Sequence, residues 1–371
     1  MALVTVPFRA GREGYASYRI PAVVGTASGT LLAFCEGRVD SAHDHGHIDI
    51  VLKRSTDGGR TWGPLQAVAN NGTDLAGNPA PVVLDTGRVL LVHVRAAASV
   101  TEDEIRRGEV DDLDGRRVWV QHSDDDGVTW TGLKEITESV KKAGWRWYAT
   151  TPGHALQLST GRVVVPANHS VPPTRTDVGD EPQYYGGHCL LSDDRGETWF
   201  LGYVDDSTTG YVNANETTAA ELPDGRVYFN TRTHHSTSRP PAPFSRPPAP
   251  SPGNRADAHS EDGGRTLVKP FRPQAGLAGP VCQAGVLQLR DPDLLLFSGP
   301  AAPAARALMT LRASSDNGMT WRSAFRVDGL PAAYSDLVRV DASTVGLLYE
   351  TGDLGAYETI TFRGVPVTEL T

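Results

Sequence analysis

Four places in this chain hold side chains with the makings of chemistry. Tyr18-Arg19-Ile20-Pro21 sets a guanidinium at a strand end, where it can clamp a carboxylate through paired, charge-assisted hydrogen bonds; a surface ion pair is the plainer use. Residues 39–47 gather Asp40, His43, Asp44, His45 and His47, with Asp49 just beyond, and read either as metal ligands or as a mobile acid–base loop. Glu216 stands sixteen residues before Arg232, which ends an apolar, strand-like run; a solvated loop carboxylate is its plainer reading. Tyr334 stands in Tyr334-Ser335-Asp336-Leu337, and taken alone it is a packed strand aromatic.

Metal and redox chemistry find little support. Cys35, Cys189 and Cys282 are far apart and odd in number, so no disulfide framework or thiolate site is expected. There is no C-x-x-C and no H-E-x-x-H, and no cofactor is implied. The net charge is -9 with no basic run, which argues against nucleic acid and anionic membrane as partners. No run is apolar for long enough to span a bilayer. The first residues lack a secretory apolar segment, so the expectation is either a cytoplasmic protein or a secreted one whose signal peptide has been removed.

These residues need a scaffold, and a repeat supplies it. Ser55-Thr56-Asp57-Gly58-Gly59-Arg60-Thr61-Trp62 returns at Ser123, Ser192, Ser260 and Ser314 as S-x-D-x-G-x-T-W, with Leu267 alone replacing the Trp. Asp takes backbone donors ahead of it and Gly accepts φ > 0, so each copy is a hairpin turn under a packed aromatic. The copies start 68, 69, 68 and 54 residues apart. Between them lie short alternating runs such as Arg88–Val94, and no long amphipathic helix. An array of like β units predicts an all-β, six-bladed β-propeller with five Asp-box hairpins, residues 1–371 forming a single domain. Two stacked sandwiches would repeat less regularly. The Pro-rich stretch at about 234–257 is expected to be an extended loop insertion beside the pocket rim.

Y-R-I-P followed by these boxes resembles the exo-sialidases (neuraminidases), the retaining, Asp-box glycoside hydrolases of bacteria and animals. The resemblance runs from Tyr18 to Glu350. It implies a clamp of Arg19, Arg232 and Arg306 on the carboxylate of sialic acid, with Glu350 holding Arg19. It makes Tyr334, in Tyr334-Ser335-Asp336-Leu337, the nucleophile and Glu216 its base. Asp44, six residues after Arg38, becomes the general acid/base, with Asp40 and Asp49 as competitors, and Arg38 itself joins the substrate-binding set. Asn78 falls where the family lines the pocket for the acylamino group, although Asn before Pro is also a plain turn signal. Gln283 falls in a stretch whose Gln reaches the pocket. Ala167-Asn168-His169 stands where some animal relatives carry tyrosines over the glycerol tail, so Tyr184 or Tyr185 is left to supply that contact.

A tyrosine nucleophile makes electrostatic sense. A second anion about 4 Å from the substrate carboxylate would cost roughly 4 kcal/mol at an effective dielectric near 20, and a neutral phenol avoids this. The expected partners are sialylated glycans on glycoproteins, gangliosides or oligosaccharides, met by a monomer. Alternatives are the same mechanism on deaminated sialic acid, a trans- or anhydro-sialidase, and a non-catalytic glycan-binding propeller. An Asp-box hydrolase on neutral glucans would need no arginine clamp.

Overall fold

The computed structural model describes residues 3–171, 185–205, 212–233 and 254–371. Tyr184 and most of the Pro-rich stretch lie outside the described residues. Where that stretch ends, the expected loop is too long by a few residues, because strand Arg255–Ser260 pairs along Val227–Thr233 from Arg255 onward.

The architecture is all-β, in a β-propeller arrangement of antiparallel sheets. Six separate sheets are not found among the described strands. There are four sheets of blade size and one of eight strands. The large sheet arises because strand Ile48–Ser55 meets strand Leu75–Val83 through one parallel bridge, Ile48 to Leu75. Both ends of the chain enter one sheet, in the order Val4–Arg9, Thr359–Pro366, Thr344–Thr351, Ala332–Arg339. Two short α-helices, Glu102–Arg107 and Thr137–Val140, lie in connections.

The repeated segments join neighbouring sheets. In the first, Ser55 Oγ donates to Asp57, the Gly59 amide donates to Ser55 Oγ, and the Thr61 amide and hydroxyl both donate to the Asp57 carboxylate. The same four bonds recur at Asp125, Asp194, Asp262 and Asp316. Gly59 has φ 85°, and a Cβ there would lie 2.1 Å from the ring of Phe362, in another sheet. Trp62 stands edge-on to the same Phe362 at 5.4 Å, and Trp130 does the same to Phe34 at 5.8 Å. These two turns thus press an aromatic ring onto residues of another strand, burying apolar area that a lone sheet would leave wet.

The opening strands of four sheet units share a distortion. Register shifts between Arg19 and Ala22, Gly77 and Ala80, Ala214 and Thr217, and Ala332 and Ser335 each set three residue steps against two on the partner. One extra residue in one strand is a β-bulge, which bends the strand and re-aims side chains. Ile20 and Asn78 adopt φ 63° and 54° within these bulges. For a β-branched residue such as Ile20 that is a strained conformation, held by the surrounding bonds.

Candidate active site

Three of the bulged strands bring Arg19, Glu216 and Tyr334 into one cluster. Tyr334 is at its centre. Its hydroxyl donates to Glu216 Oε1 at 2.5 Å and accepts from Arg232 Nη1 at 3.1 Å. The same Nη1 donates to Glu216 Oε2 at 2.7 Å. The guanidinium carbons of Arg19 and Arg306 each lie 5.5 Å from the Tyr334 ring centroid. Three arginines therefore surround one phenol.

Each guanidinium is held differently. Arg19 Nε donates to Glu350 Oε1 at 2.8 Å, in a pair whose side chains are 8% and 0% exposed. Glu350 also accepts the backbone amides of Ile20 and Tyr334, at 2.9 and 3.1 Å. Arg232 has Glu216. Arg306 has no carboxylate partner among the described residues; it donates to Tyr357 Oη at 2.7 Å and to the Val281 carbonyl at 3.1 Å. Three guanidiniums against two carboxylates leave one positive charge unbalanced, the complement of a single carboxylate ligand.

The electrostatics follow from burial. Burial works against the charge on Arg19 and Arg232, but the carboxylates of Glu350 and Glu216 outweigh it and raise both pKa values. Burial, then the Glu216 carboxylate, push the Tyr334 phenol well above its ordinary range, with Arg232 and Arg306 opposing. The phenol donates its hydrogen bond to the Glu216 carboxylate.

Beside this cluster the loop after Arg38 folds back on Arg38 itself. The guanidinium is 2% exposed and fully engaged: Nε and Nη2 bind Glu36, and Nη1 binds the Ala42 carbonyl at 2.6 Å and Asp44 at 2.7 Å. Arg38 thus spends four of its five N–H donors on Glu36 and the loop, and in this structure it shapes the loop. Asp44 is 68% exposed. Partial desolvation would raise its pKa, but Arg38, then Arg19 and Arg116, hold it below the usual carboxylate range. Its competitors sit differently: Asp49 accepts from Tyr15 Oη at 2.8 Å, beneath the loop.

Asn78 and Gln283 are engaged in structure. The Asn78 amide donates to Glu36, its side-chain oxygen accepts from Arg116 at 3.1 Å, and its carbonyl accepts from Thr150. Gln283 is 2% exposed, and its amide group bonds the carbonyls of Pro152, Ala284 and Ser335 and the Ser335 backbone amide. It braces the strand Ala332–Arg339 that carries Tyr334, with its amide group spent on backbone partners. Beneath it Asp336, fully buried, takes His154 Nδ1 at 2.8 Å and the amide of Val23, tying three sheets together.

Three residues near the site escaped the sequence reading. Arg116 is buried with its guanidinium 4.2 Å from the Trp147 ring. Glu102, in the first turn of helix Glu102–Arg107, accepts from Tyr185, one of the two tyrosines expected over the glycerol tail. Tyr357 is the third. Only the helix had a local signal, the capping box Thr101-x-x-Glu104, which is present. Among the described residues no group of three or more His, Cys, Asp or Glu is placed to hold a metal. No helix among them is long and apolar enough to cross a membrane.

The chain matches the model of the BNR repeat-like domain over residues 29–347. It is 30% identical over 360 residues to a sialidase of Micromonospora viridifaciens, covering 92% of this chain and 51% of the relative. It is 30% identical over 320 residues to an exo-alpha-sialidase of Aspergillus fumigatus, covering 82% and 69%. Among solved structures, a Hadza microbial sialidase superimposes with a TM-score of 0.78 at 27% identity, covering 98% of this chain and 68% of that one. The chain spans 64% of the length of a Bacteroides fragilis sialidase, to which it is 28% identical, and about half of the Micromonospora relative. On these matches, the chain belongs to the BNR-repeat sialidase family.

Proposed function

We propose that this protein is an exo-α-sialidase that releases terminal sialic acid with retention of configuration, working as a single catalytic domain. The observation that carries the reading is the convergence of Arg19, Arg232 and Arg306 around the Tyr334–Glu216 pair. A net charge of one beside a nucleophile suits a sugar whose reacting carbon bears a carboxylate. Bidentate, charge-assisted bonds to such a group contribute roughly 1.5–3 kcal/mol each and fix that carbon against the phenol.

In the first step the Tyr334 oxygen attacks the anomeric carbon and its proton passes to Glu216. The glycosidic C–O bond breaks as Asp44 protonates the departing oxygen. In the second step Asp44 takes a proton from water, whose oxygen attacks the same carbon from the vacated side. Tyr334 leaves and recovers its proton from Glu216. Two displacements restore the original configuration. Asp44 must be released from Arg38, or its charge offset, before it can act as an acid. In this reading the eight-stranded sheet is two blades sharing one bridge, which makes six blades around the axis.

The test is turnover of an umbelliferyl N-acetylneuraminic acid glycoside beside its deaminated analogue, with Tyr334→Phe as control and the product's anomeric form read by proton NMR. Release of the α-anomer that collapses in Tyr334→Phe is expected. A folded protein that turns over neither substrate would leave a binding propeller as the reading, and an anhydro product would make it an intramolecular transferase.

A further inference from the structure

We infer that Tyr357 is a positioning residue of the carboxylate clamp, setting two of its three arginines at once. This rests on the functional reading above and adds to it a group outside every motif of the sequence. Tyr357 lies in the connection between strands Thr344–Thr351 and Thr359–Pro366, in the sheet that also carries Tyr334. Its hydroxyl accepts from Arg306 Nη1 at 2.7 Å. Its ring lies against the Arg19 guanidinium, 3.9 Å from centroid to carbon. One side chain thereby fixes an edge of one guanidinium and the plane of another.

Arg306 depends on this contact. Its other hydrogen bond goes to a backbone carbonyl, and it has no carboxylate among the described residues to hold it. An unpinned arginine would lose rotamer freedom when ligand binds, and that loss would weaken binding. The stack on Arg19 acts on the remaining degree of freedom. Glu350 takes Nε, so rotation about that bond would still swing the terminal amino groups, and a flat ring at 3.9 Å restrains it.

A phenol suits this position because of charge. A glutamate could also hold Arg306, but it would cancel the single excess positive charge that a ligand carboxylate needs. A phenol accepts the hydrogen bond and adds no charge.

The loop that presents Tyr357 is itself braced. The carboxylate of Glu358 accepts the amides of Asp353, Leu354 and Gly355 at 3.1, 2.9 and 2.9 Å. These bonds make the turn a rigid base for the ring beside it.

The experiment compares wild type, Tyr357→Phe and Tyr357→Leu in the full chain. Calorimetry measures binding of the unsaturated sialic acid analogue and of its methyl ester; kinetics with the umbelliferyl glycoside give KM and kcat. Tyr357→Phe keeps the stack and loses the Arg306 anchor. It should weaken binding of the acid about tenfold, leave the ester nearly unchanged, and raise KM with kcat within about threefold. Tyr357→Leu should weaken the acid further. An acid-to-ester preference equal to wild type in both variants would overturn the inference, whatever happens to their melting temperatures. A wild type that binds the acid without hydrolysing the glycoside would sink the hydrolase reading, while a lowered preference in Tyr357→Phe would still support the positioning role. A wild type that binds neither acid nor ester would overturn both.

Discussion

The hydroxyl of Tyr334 and the carboxylate of Glu216 meet at 2.5 Å although 118 residues separate them, and Arg232 bonds both partners at once. In the proposed mechanism, the proton that leaves the phenol would have its acceptor in place before any ligand arrives. Glu216→Gln removes the acceptor and keeps the shape. It should lower kcat by about 10²–10⁴-fold with little change in the binding of the unsaturated analogue. Equal kcat in wild type and variant would remove Glu216 from the proton path.

Asp44 is exposed, ionised and tied to Arg38. If it protonates the leaving oxygen, its loss must matter most where that oxygen is a poor leaving group. Asp44→Asn should reduce turnover of sialyllactose at least about tenfold more than turnover of the umbelliferyl glycoside, whose phenolate departs with less help. The pH profile should agree. A carboxyl held below its ordinary range is protonated only in acid, so kcat/KM should fall as pH rises. A uniform loss on both substrates would point to a binding role instead.

The Arg19–Glu350 pair is buried, and each partner is the other's counter-charge. Glu350→Gln should destabilise the fold by about 3–5 kcal/mol, because it strands a guanidinium in a dry site. Chemical denaturation would read this directly. A loss below about 1 kcal/mol would mean that water reaches the pair.

Buried histidines give the fold a defined acid sensitivity. Burial lowers His93 and His169 from an ordinary value near 6.5 to about 3, and lowers His188 well below its ordinary value. In the unfolded chain all three take protons below about 6.5; in the folded protein His93 and His169 do so only near 3. Their contribution is complete above 6.5 and is lost as pH falls, at up to about 1.4 kcal/mol per pH unit for each. His154 runs the other way. Burial would lower it, but Asp336 outweighs that and raises it, so its contribution is present below 6.5 and lost as pH rises. Urea midpoints should drop from pH 6.5 to 4, and His188→Gln should flatten that slope. A slope unchanged by His188→Gln would show that other groups carry it.

Gly59→Ala tests the repeated turns. The substitution adds a left-handed penalty of about 1–2 kcal/mol and overpacking of about 1–3 kcal/mol against Phe362. Gly72→Ala, at φ 67° with nothing nearby, carries the first alone. Melting curves of the two should differ; if they match, the contact with Phe362 is soft.

The repeated turns were legible because each writes its hydrogen bonds in five or six adjacent letters. Arg19, Glu216, Arg232, Arg306, Tyr334 and Glu350 were singled out through short motifs shared with a known family, and the structure brings them together. Asn78 and Gln283 matched motifs too, yet both spend their polar groups on the frame. A motif records a residue's neighbours in sequence, and burial decides whether its side chain is free. Tyr357 and Arg116 had no motif, since each acts through partners dozens to hundreds of residues away. The merging of two units through the Ile48–Leu75 bridge depends on a single pair of backbone groups, which no residue type announces.

The strand Val4–Arg9 closes its sheet against Thr359–Pro366, at opposite ends of the chain. This has a bearing on the order of folding. Synthesis delivers Arg19 well before Tyr334, Glu350 and Tyr357, so an early strand waits for the partners that a much later segment brings. Val4–Arg9 has no neighbour in its sheet until Thr359–Pro366 has emerged, and the cluster around Tyr334 assembles only after that long separation is closed.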